Sequence, residues 1–464
     1  MSLILGVPKE AAAGERRVAL VPRALAPLQK SGMEILVEAG AGAASGYPDE
    51  EYAAKGARIA ASRDELFASA AVLVCVRVPG TWSASTGAAA SGTAASGAAA
   101  PDPDLARLRP GQVVIGFADP LALPEASREL AARGVSLLAM EMMPRITRAQ
   151  GMDALSSMAT LAGYKAVLLA ADALPRLFPM LMTAAGTVTP ARVLVLGAGV
   201  AGLFAAATAR RLGAVVSAYD VRPAAREQVE SVGAKFVSLP LDSANAEDRG
   251  GYAREMDADF LRRQRELMTG AVREHDVVIS TAAVPGKRAP ILVTRDMVAG
   301  MAPGSVIVDV AAERGGNCEL TRPGEVVVEH GVTIVGTLNL AGAVPYHASQ
   351  LYAKNVASFL GHLVRDGAVR LDTADEITRE TLIAHGGEVV HERIRQQLGL
   401  PAQSAATGAP ATPATPATSA SGTAAAAGTA TAASPSGAPG SPGSASQAPP
   451  AAGAPAPPPS SPST

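Results

Sequence analysis

Apolar residues in this chain gather in short runs, separated by stretches where they recur at helical spacing. Before residue 143 the runs are "LILGVPKE", "EILVEAG", "AVLVCVRVP", "QVVIGFADP" and "VSLLAME". Runs that are apolar at every position and rich in Val, Ile and Leu read as parallel strands covered on both faces. The stretch "RITRAQGMDALSSMATLAGYKAVLLAADAL", residues 145–174, reads as one helix long enough to bridge two domains. Strand-like runs resume with "RVLVLGAGVAGLFAAATARRLGAVVSAYDVR" and continue through "AKFVSLP", "DVVISTAAVPGK", "SVIVDVAAERGG" and "VTIVGTLNLAG". A second helical stretch, "YHASQLYAKNVASFLGHLVRDG", is placed to return to the first domain. The pattern predicts an α/β protein: two Rossmann-like, doubly wound parallel-sheet domains with a cleft between them.

Residues 192–222 carry the sharpest local signal. A membrane-spanning helix needs about 20 apolar residues, and Arg192 and Arg210–Arg211 leave too few between them. The stretch parses instead as a strand over 193–196, a tight turn, a helix over 200–212 and a second strand over 214–219. The turn reads Gly197-x-Gly199-x-x-Gly202, and the second strand runs into Asp220. That is the order of a dinucleotide fingerprint. Gly197 permits the turn, Gly199 lets the backbone approach a pyrophosphate, and Gly202 allows close packing of helix on strand. The helix N-terminus offers unpaired N–H groups and a positive dipole end to phosphates. Asp220 suits ribose hydroxyls and repels a 2′-phosphate, which favours NAD over NADP, with Arg222 close by as the complicating charge. The alternative is a βαβ unit whose glycines serve packing alone.

These signals divide the chain into residues 1–143, 144–345, a helical return over 346–400 and a tail over 401–464. From Ser404 on, the tail holds only Ala, Ser, Thr, Gly and Pro apart from Gln447, and so is expected to be disordered. A similar low-complexity stretch, 80–104, interrupts the first domain as a surface loop, with Trp82 at its base. Residues 242–267, "DSANAEDRGGYAREMDADFLRRQREL", lack apolar periodicity; they read either as a solvated excursion or as a lid in which Gly251 and Tyr252 close on a nucleotide. The 464 residues carry a net charge of −2, so no basic excess points to nucleic acid. Cys75 and Cys318 are the only cysteines, which leaves no disulfide framework and no cysteine-rich metal site; no metal is expected. The N-terminus lacks a secretory signal, and the expectation is a cytoplasmic protein without direct membrane insertion.

Several motifs in order, "GVPKE…GERRVALVP", "PRITRAQGMDALSSMATLAGYKA", "GAGVAG" with "YDVR", "GGYAREM" and "VDVAAERGGNCE", resemble the alanine dehydrogenase and pyridine-nucleotide transhydrogenase superfamily. Within it the chain is most similar to the NAD(H)-binding part of proton-translocating transhydrogenases. The resemblance covers about residues 1–370. It implies NAD(H) on this chain and NADP(H) on a partner subunit. It assigns the reacting end to Arg145, Gln150, Asp153 and Ser156, with Tyr252 closing over the site. It assigns the pyrophosphate to Ala198, Gly199 and Val200, and the adenosine ribose to Asp220, Val221 and Arg222. Gly251, Gln264 and Ala283 would lie along the dinucleotide. On a continuous helix Gln150, Asp153 and Ser156, three apart, would share a side. A homodimer is also implied, held to membrane-spanning subunits on the cytoplasmic face of the inner membrane.

The two branches of the superfamily demand different chemistry. An amino-acid dehydrogenase must move a proton, and its pattern has a His in the first domain, a Lys on the strand before a Pro turn and an Asp before Gln-Gly-Gly. Here no histidine precedes His275, Cys75 stands where that Lys is expected, and Glu313 precedes Arg314-Gly315-Gly316. Arg17 remains, but a general acid–base needs a group poised near the operating pH. Direct hydride exchange between two nicotinamides needs positioning instead. Moving a proton against a membrane potential costs about 2.3 kcal/mol per 100 mV, so coupling calls for a transmembrane partner, and no spanning segment is read here. Alternatives are an alanine dehydrogenase-like enzyme and a non-catalytic NAD(H) sensor. Lys287 in "PGK" is a further candidate phosphate contact; His347 receives no role.

Overall fold

The computed structural model describes residues 3–81, 102–240 and 258–401. The expectations for the low-complexity loop, for Gly251 and Tyr252 in the lid, and for the tail from residue 402 lie outside the described residues.

In the N-terminal part, strands β1 (Leu3–Val7), β2 (Met33–Glu38), β3 (Arg58–Ala60), β4 (Val72–Arg77), β5 (Val113–Phe117) and β6 (Ser136–Ala139) alternate with helices. The helices are α1 (Leu25–Lys30), α2 (Asp49–Ala54), α3 (Arg63–Ser69) and α4 (Pro124–Ala132). Successive strand residues point to opposite faces, and both faces are buried. Val72, Val74 and Val76 join Leu5 and Ile115 in one core, while Leu73 and Cys75 join Phe67 and Leu137 in the other. The five apolar runs are therefore parallel strands, as their composition requires. The short β3, with no long apolar run of its own, is an addition to that reading.

The long apolar stretch after β6 is not one helix. A 3-10 turn occupies Thr147–Met152, and helix α5 begins only at Ala154 and runs to Ala173. Asp153 caps it, accepting the Ser156 N–H at 2.9 Å. Asp and Gly disfavour helix interiors, and Asp is a preferred cap. The expected continuous face of Gln150, Asp153 and Ser156 is thus corrected: of the three, only Ser156 is on the helix. By length and composition α5 is apolar enough to cross a membrane. Its apolarity has another use here, since Ala154 and Met158 pack into the first core while Ala166, Val167 and Ala170 pack into that of the second domain.

Beyond α5 a hairpin, β7 (Leu181–Thr183) and β8 (Gly186–Val188), precedes the second sheet. That sheet comprises β9 (Arg192–Leu196), β10 (Val215–Tyr219), β11 (Lys235–Phe236), β12 (Val277–Ser280), β13 (Val306–Asp309), β14 (Val326–Glu329) and β15 (Val332–Val335). Its helices are α6 (Val200–Arg211), α7 (Ala225–Ser231), α8 (Ala258–Arg273) and α9 (Arg295–Ala299). The order β11-β10-β9-β12-β13-β15-β14 is parallel except for the edge strand β14, and its first six strands follow the dinucleotide-binding 3-2-1-4-5-6 order. Helix α10 (Pro345–Leu363) then returns as expected, burying Ala348, Tyr352, Val356 and Phe359 in the first core.

The remaining segment was expected to be helical. It holds a small hairpin, β16 (Val364–Arg365) and β17 (Ala368–Val369), then α11 (Glu376–Thr381), β18 (Leu382–His385), β19 (Glu388–Val389) and α12 (Glu392–Gln397). Strands β18 and β19 extend the first sheet, whose order is β3-β2-β1-β4-β5-β6-β18-β19. The first six strands again run 3-2-1-4-5-6. Both sheets belong to one compact unit, joined by α5 and α10.

Helices α5 and α6 cross where Gly163 faces Ala201. A Cβ at position 163 would collide with the Ala201 carbonyl. In an open helix Gly→Ala adds up to about 1 kcal/mol of stability. Gly163→Ala is expected to do the reverse, lowering stability by about 1–3 kcal/mol through overpacking, as read by urea unfolding.

Candidate functional site

A cavity of about 360 Å³ opens at the carboxyl edge of the second sheet, within the range of small-ligand sites. It lies where β9 and β12, first and fourth in chain order, are neighbours: the topological switch point. Its floor is the turn between β9 and α6. Gly197 has φ of 94°, a left-handed conformation that only glycine adopts freely, and its N–H donates to the Tyr219 carbonyl at 2.8 Å. A Cβ on Gly199 would meet nothing, so this residue presents bare backbone and open space to the cavity. A Cβ on Gly202 would run into the Gly197 carbonyl, so that glycine seats α6 against β9. Gly197 thus makes the turn and Gly202 the close packing, while Gly199 leaves open backbone at the cavity beside the N–H groups that open α6.

Asp220, 8% exposed, is held in place by its own surroundings. Oδ2 accepts the Ala198 N–H at 2.7 Å and Arg222 Nη2 at 2.9 Å; Oδ1 accepts the Arg222 N–H and Nε, each at 2.9 Å. Arg222, the charge that complicated the reading of NAD over NADP, is folded onto the aspartate in a bidentate pair. Deeper along the wall, Gln264 is buried; its Nε2 donates to the Tyr219 hydroxyl at 2.9 Å, while its Oε1 is buried with no partner among the described residues. Burial pushes the Tyr219 phenol up to about 12, so it stays protonated. An orphaned buried acceptor in a cavity wall calls for a ligand N–H or O–H, which the adenosine part of a dinucleotide carries. These observations fit NAD(H).

Gly197, Gly199, Val200, Asp220, Val221, Arg222, Gln264 and Ala283 line the cavity, as do Arg145, Ser156 and Lys287. Other expected residues sit elsewhere. Ala198 is buried, and its N–H is spent on Asp220 rather than facing a phosphate. Gly202 acts through packing. Asp153 reaches the wall through Ser156, whose Oγ–H donates to it at 2.6 Å. Gln150 is exposed on the 3-10 turn, beyond the cavity. His347 lies edge-on to the Tyr346 ring, also outside the cavity.

Thr281 and Asn317 were not anticipated. Thr281 Oγ1 donates to the Gly197 carbonyl at 2.9 Å, pinning the turn. Asn317 accepts the Ala282 N–H at 3.0 Å and donates to the Ala282 and Pro290 carbonyls at 2.8 Å each, fixing the strand end that carries Ala283. The signal available for them was their place just after apolar strands, at the edge where ligands bind.

Across the cleft the first domain presents an ion network outside this cavity. Arg17 grips Glu15 through Nε at 2.7 Å and Nη2 at 2.6 Å, and Arg77 Nε approaches the same carboxylate at 3.3 Å. Burial opposes ionisation of Glu15, but the two guanidinium groups hold its carboxyl down at about 2. Burial, with the Glu15 charge, pushes Glu10 up to about 8 against the N–H donors of Val76 and Arg77. The basic position on β4 is therefore Arg77. Cys75, which stands where the amino-acid dehydrogenase pattern has a Lys, is buried in the sheet core. Register with β5 shifts between Val74 and Arg77, which ends the regular alternation and turns Arg77 toward Glu15. Two ties cross between domains: Arg314 to Asp119 at 2.7 Å and Asn339 Nδ2 to Glu15 at 3.1 Å.

Paired 3-2-1-4-5-6 sheets, with a glycine turn and an acidic strand end at one switch point, define a two-domain dinucleotide-binding α/β protein. The chain belongs to the alanine dehydrogenase/PNT family: the family's N-terminal domain matches residues 6–162 and its C-terminal domain residues 166–392. It is 43% identical over 396 residues to the first part of NAD(P) transhydrogenase subunit alpha from Rhodospirillum rubrum, covering 85% of this chain and 99% of that one. The crystal structure of transhydrogenase from Sinorhizobium meliloti superposes with a TM-score of 0.71 at 45% identity, covering 83% of this chain and 100% of that chain. Alanine dehydrogenase of Bacillus subtilis is more distant, 29% identical over 417 residues, covering 87% of this chain and 97% of that one.

Replacing Asp220 removes the acceptor that holds both Ala198 and Arg222. Asp220→Ala is expected to weaken NADH at least about tenfold, the scale of a charge-assisted hydrogen bond, and to weaken NADPH less. Fluorescence titration of both nucleotides checks this; an unchanged NADH/NADPH ratio removes Asp220 as the discriminator.

Proposed function

We propose that this chain is the NAD(H)-carrying subunit of a proton-translocating NAD(P) transhydrogenase, exchanging hydride with NADP(H) held by a partner subunit. The observation that carries the reading is the pairing of a built dinucleotide cavity with a first-domain ion network that, among the described residues, does not line it. No histidine precedes His275, and none of Glu10, Glu15, Arg17 or Arg77 lines the cavity. The dinucleotide supplies the hydride when bound. The chain's own residues supply position: the α6 N-terminus and Gly199 take the pyrophosphate, Asp220 and Val221 the ribose, Gln264 the adenosine. Arg145 and Ser156 mark the end of the cavity where the nicotinamide belongs, with Asp153 fixing the Ser156 hydroxyl. Gln150, exposed just beyond, is placed to meet either the carboxamide or the partner. Ala198 contributes by holding Asp220 rather than by touching phosphate.

Similarity over 99% of a relative that is itself named as one portion of a subunit supports a chain that works alongside others. The partners are membrane-spanning subunits, one bearing an NADP(H)-binding domain, and the chain sits on the cytoplasmic face of the inner membrane through them. A homodimer fits the β7–β8 hairpin. All six of its strand residues are exposed, Met182 at 72%, with Leu177 and Met180 exposed beside it. A lone two-stranded hairpin is marginal in water, and an apolar projection of this kind marks an interface.

The test mixes the purified chain with the NADP(H)-binding domain of a transhydrogenase and follows reduction of an NAD analogue by NADPH. Turnover is expected only when both proteins are present. Robust NADH oxidation driven by pyruvate and ammonium in the chain alone, with no transfer in the mixture, overturns the reading in favour of an amino-acid dehydrogenase. For the hairpin, Leu181→Lys with Met182→Asp is expected to convert a dimer into a monomer in light scattering; an unchanged dimer places the interface elsewhere.

A further inference from the structure

Helix α10 carries a row of hydrogen-bonding side chains spaced three residues apart. Ser349 Oγ accepts the Val18 N–H at 3.0 Å, the Tyr352 hydroxyl donates to the Cys75 carbonyl at 2.7 Å, and Asn355 Nδ2 donates to the Gly151 carbonyl at 2.9 Å. The first two fasten parts of the first domain to each other. The third reaches the 3-10 turn Thr147–Met152, next to Gln150.

Asn355 is an odd choice for stability. It is 6% exposed, between Tyr352 and Val356 in the helix's apolar face, and its Oδ1 is buried with no partner among the described residues. A buried amide with half its bonding unmade is costly, and an apolar side chain of similar size would suit the core better. Gly151 itself is an exposed residue of the turn. What the bond does is locate a peptide. The turn is anchored on one side by the buried Ala149 and on the other by the Asp153 cap. Between them Gln150 and Gly151 are exposed, and the bond closing that stretch, Asp153 N–H to the Gln150 carbonyl, is 3.4 Å long. The other outside tie, Arg148 to Asp375 at 2.6 Å, is made by an arginine that is half exposed.

We infer that Asn355 is a positioning residue for hydride transfer: from helix α10 it sets the Gly151–Met152 peptide, the second after Gln150, and through it the geometry at the nicotinamide end of the cavity. This rests on the function proposed above. Buried polar groups that lower stability are retained where a specific geometry matters, and displacement of a contact by a fraction of an ångström costs far more in reaction rate than in binding.

The experiment compares the parent chain with Asn355→Leu and Asn355→Asp. Leu removes the donor and fills the core; Asp keeps the shape, but its carboxylate cannot donate to the Gly151 carbonyl. Single-turnover hydride transfer to a partner NADP(H)-binding domain is measured beside NADH affinity and melting temperature. Transfer is expected to slow at least ~10-fold while the NADH dissociation constant stays within ~3-fold, the signature of a lost transition-state contact. The Leu variant is expected to melt no lower than the parent. The inference is overturned if transfer in a folded variant stays within ~2-fold of the parent, or slows only in step with NADH affinity. Should one variant fail to fold, the other decides; failure of both marks a structural role and also overturns it. A parent chain that passes no hydride sinks the proposed function, a result separable from the variants.

Discussion

The arrangement depends on a close approach of backbones around the start of α6. Gly202 lies against the Gly197 carbonyl, and Gly163 of α5 lies against the Ala201 carbonyl. Neither contact has room for a Cβ. Together they press the first turn of α6 against the end of β9 on one side and against the bridging helix on the other. That aims the unpaired N–H groups and the positive dipole end at the switch point of the second sheet. Displacing this turn would disperse the cavity's polar elements, because the Ala198 bond to Asp220 and the Thr281 bond to Gly197 are measured from the same turn.

Because α5 sets α6 with its middle and enters the first core with its N-terminal turns, the two domains are registered on one rod. Helix α10 completes the frame from the opposite direction. The consequence is a cleft with unequal sides. The second domain builds a cavity of bare backbone and oriented dipoles, whereas the first offers a closed ion network in which Glu15 is gripped by Arg17 and Arg77. Such a side gives rigidity and placement, which a hydride exchange between two cofactors requires, and none of Glu10, Glu15, Arg17 or Arg77 lines the cavity.

The fingerprint turn, the acidic strand end and the buried parallel strands were legible because each is a local physical need. A positive φ requires glycine, a sheet covered on both faces requires unbroken apolar runs, and a helix N-terminus requires a tight turn before it. The break before α5 was less legible. The apolar pattern runs through Gly151 and Asp153 without interruption, and the cap is visible only when its partner N–H is in place. Strands β3, β18 and β19 are short edge or near-edge segments whose pairing comes from a neighbour far along the chain.

The sequence by itself determined the α/β class, the place of the dinucleotide turn, the vacancy of a first-domain histidine and membership of a family that binds nicotinamide nucleotides, since each follows from residue type and spacing over a few dozen positions. Only the tertiary structure decided that Arg77 turns toward Glu15, that Arg222 folds onto Asp220, that Gln150 stands outside the cavity, and that Asn355 reaches Gly151 across 204 residues. Those outcomes depend on side-chain direction and on contacts between distant segments, which neither periodicity nor motif spacing encodes.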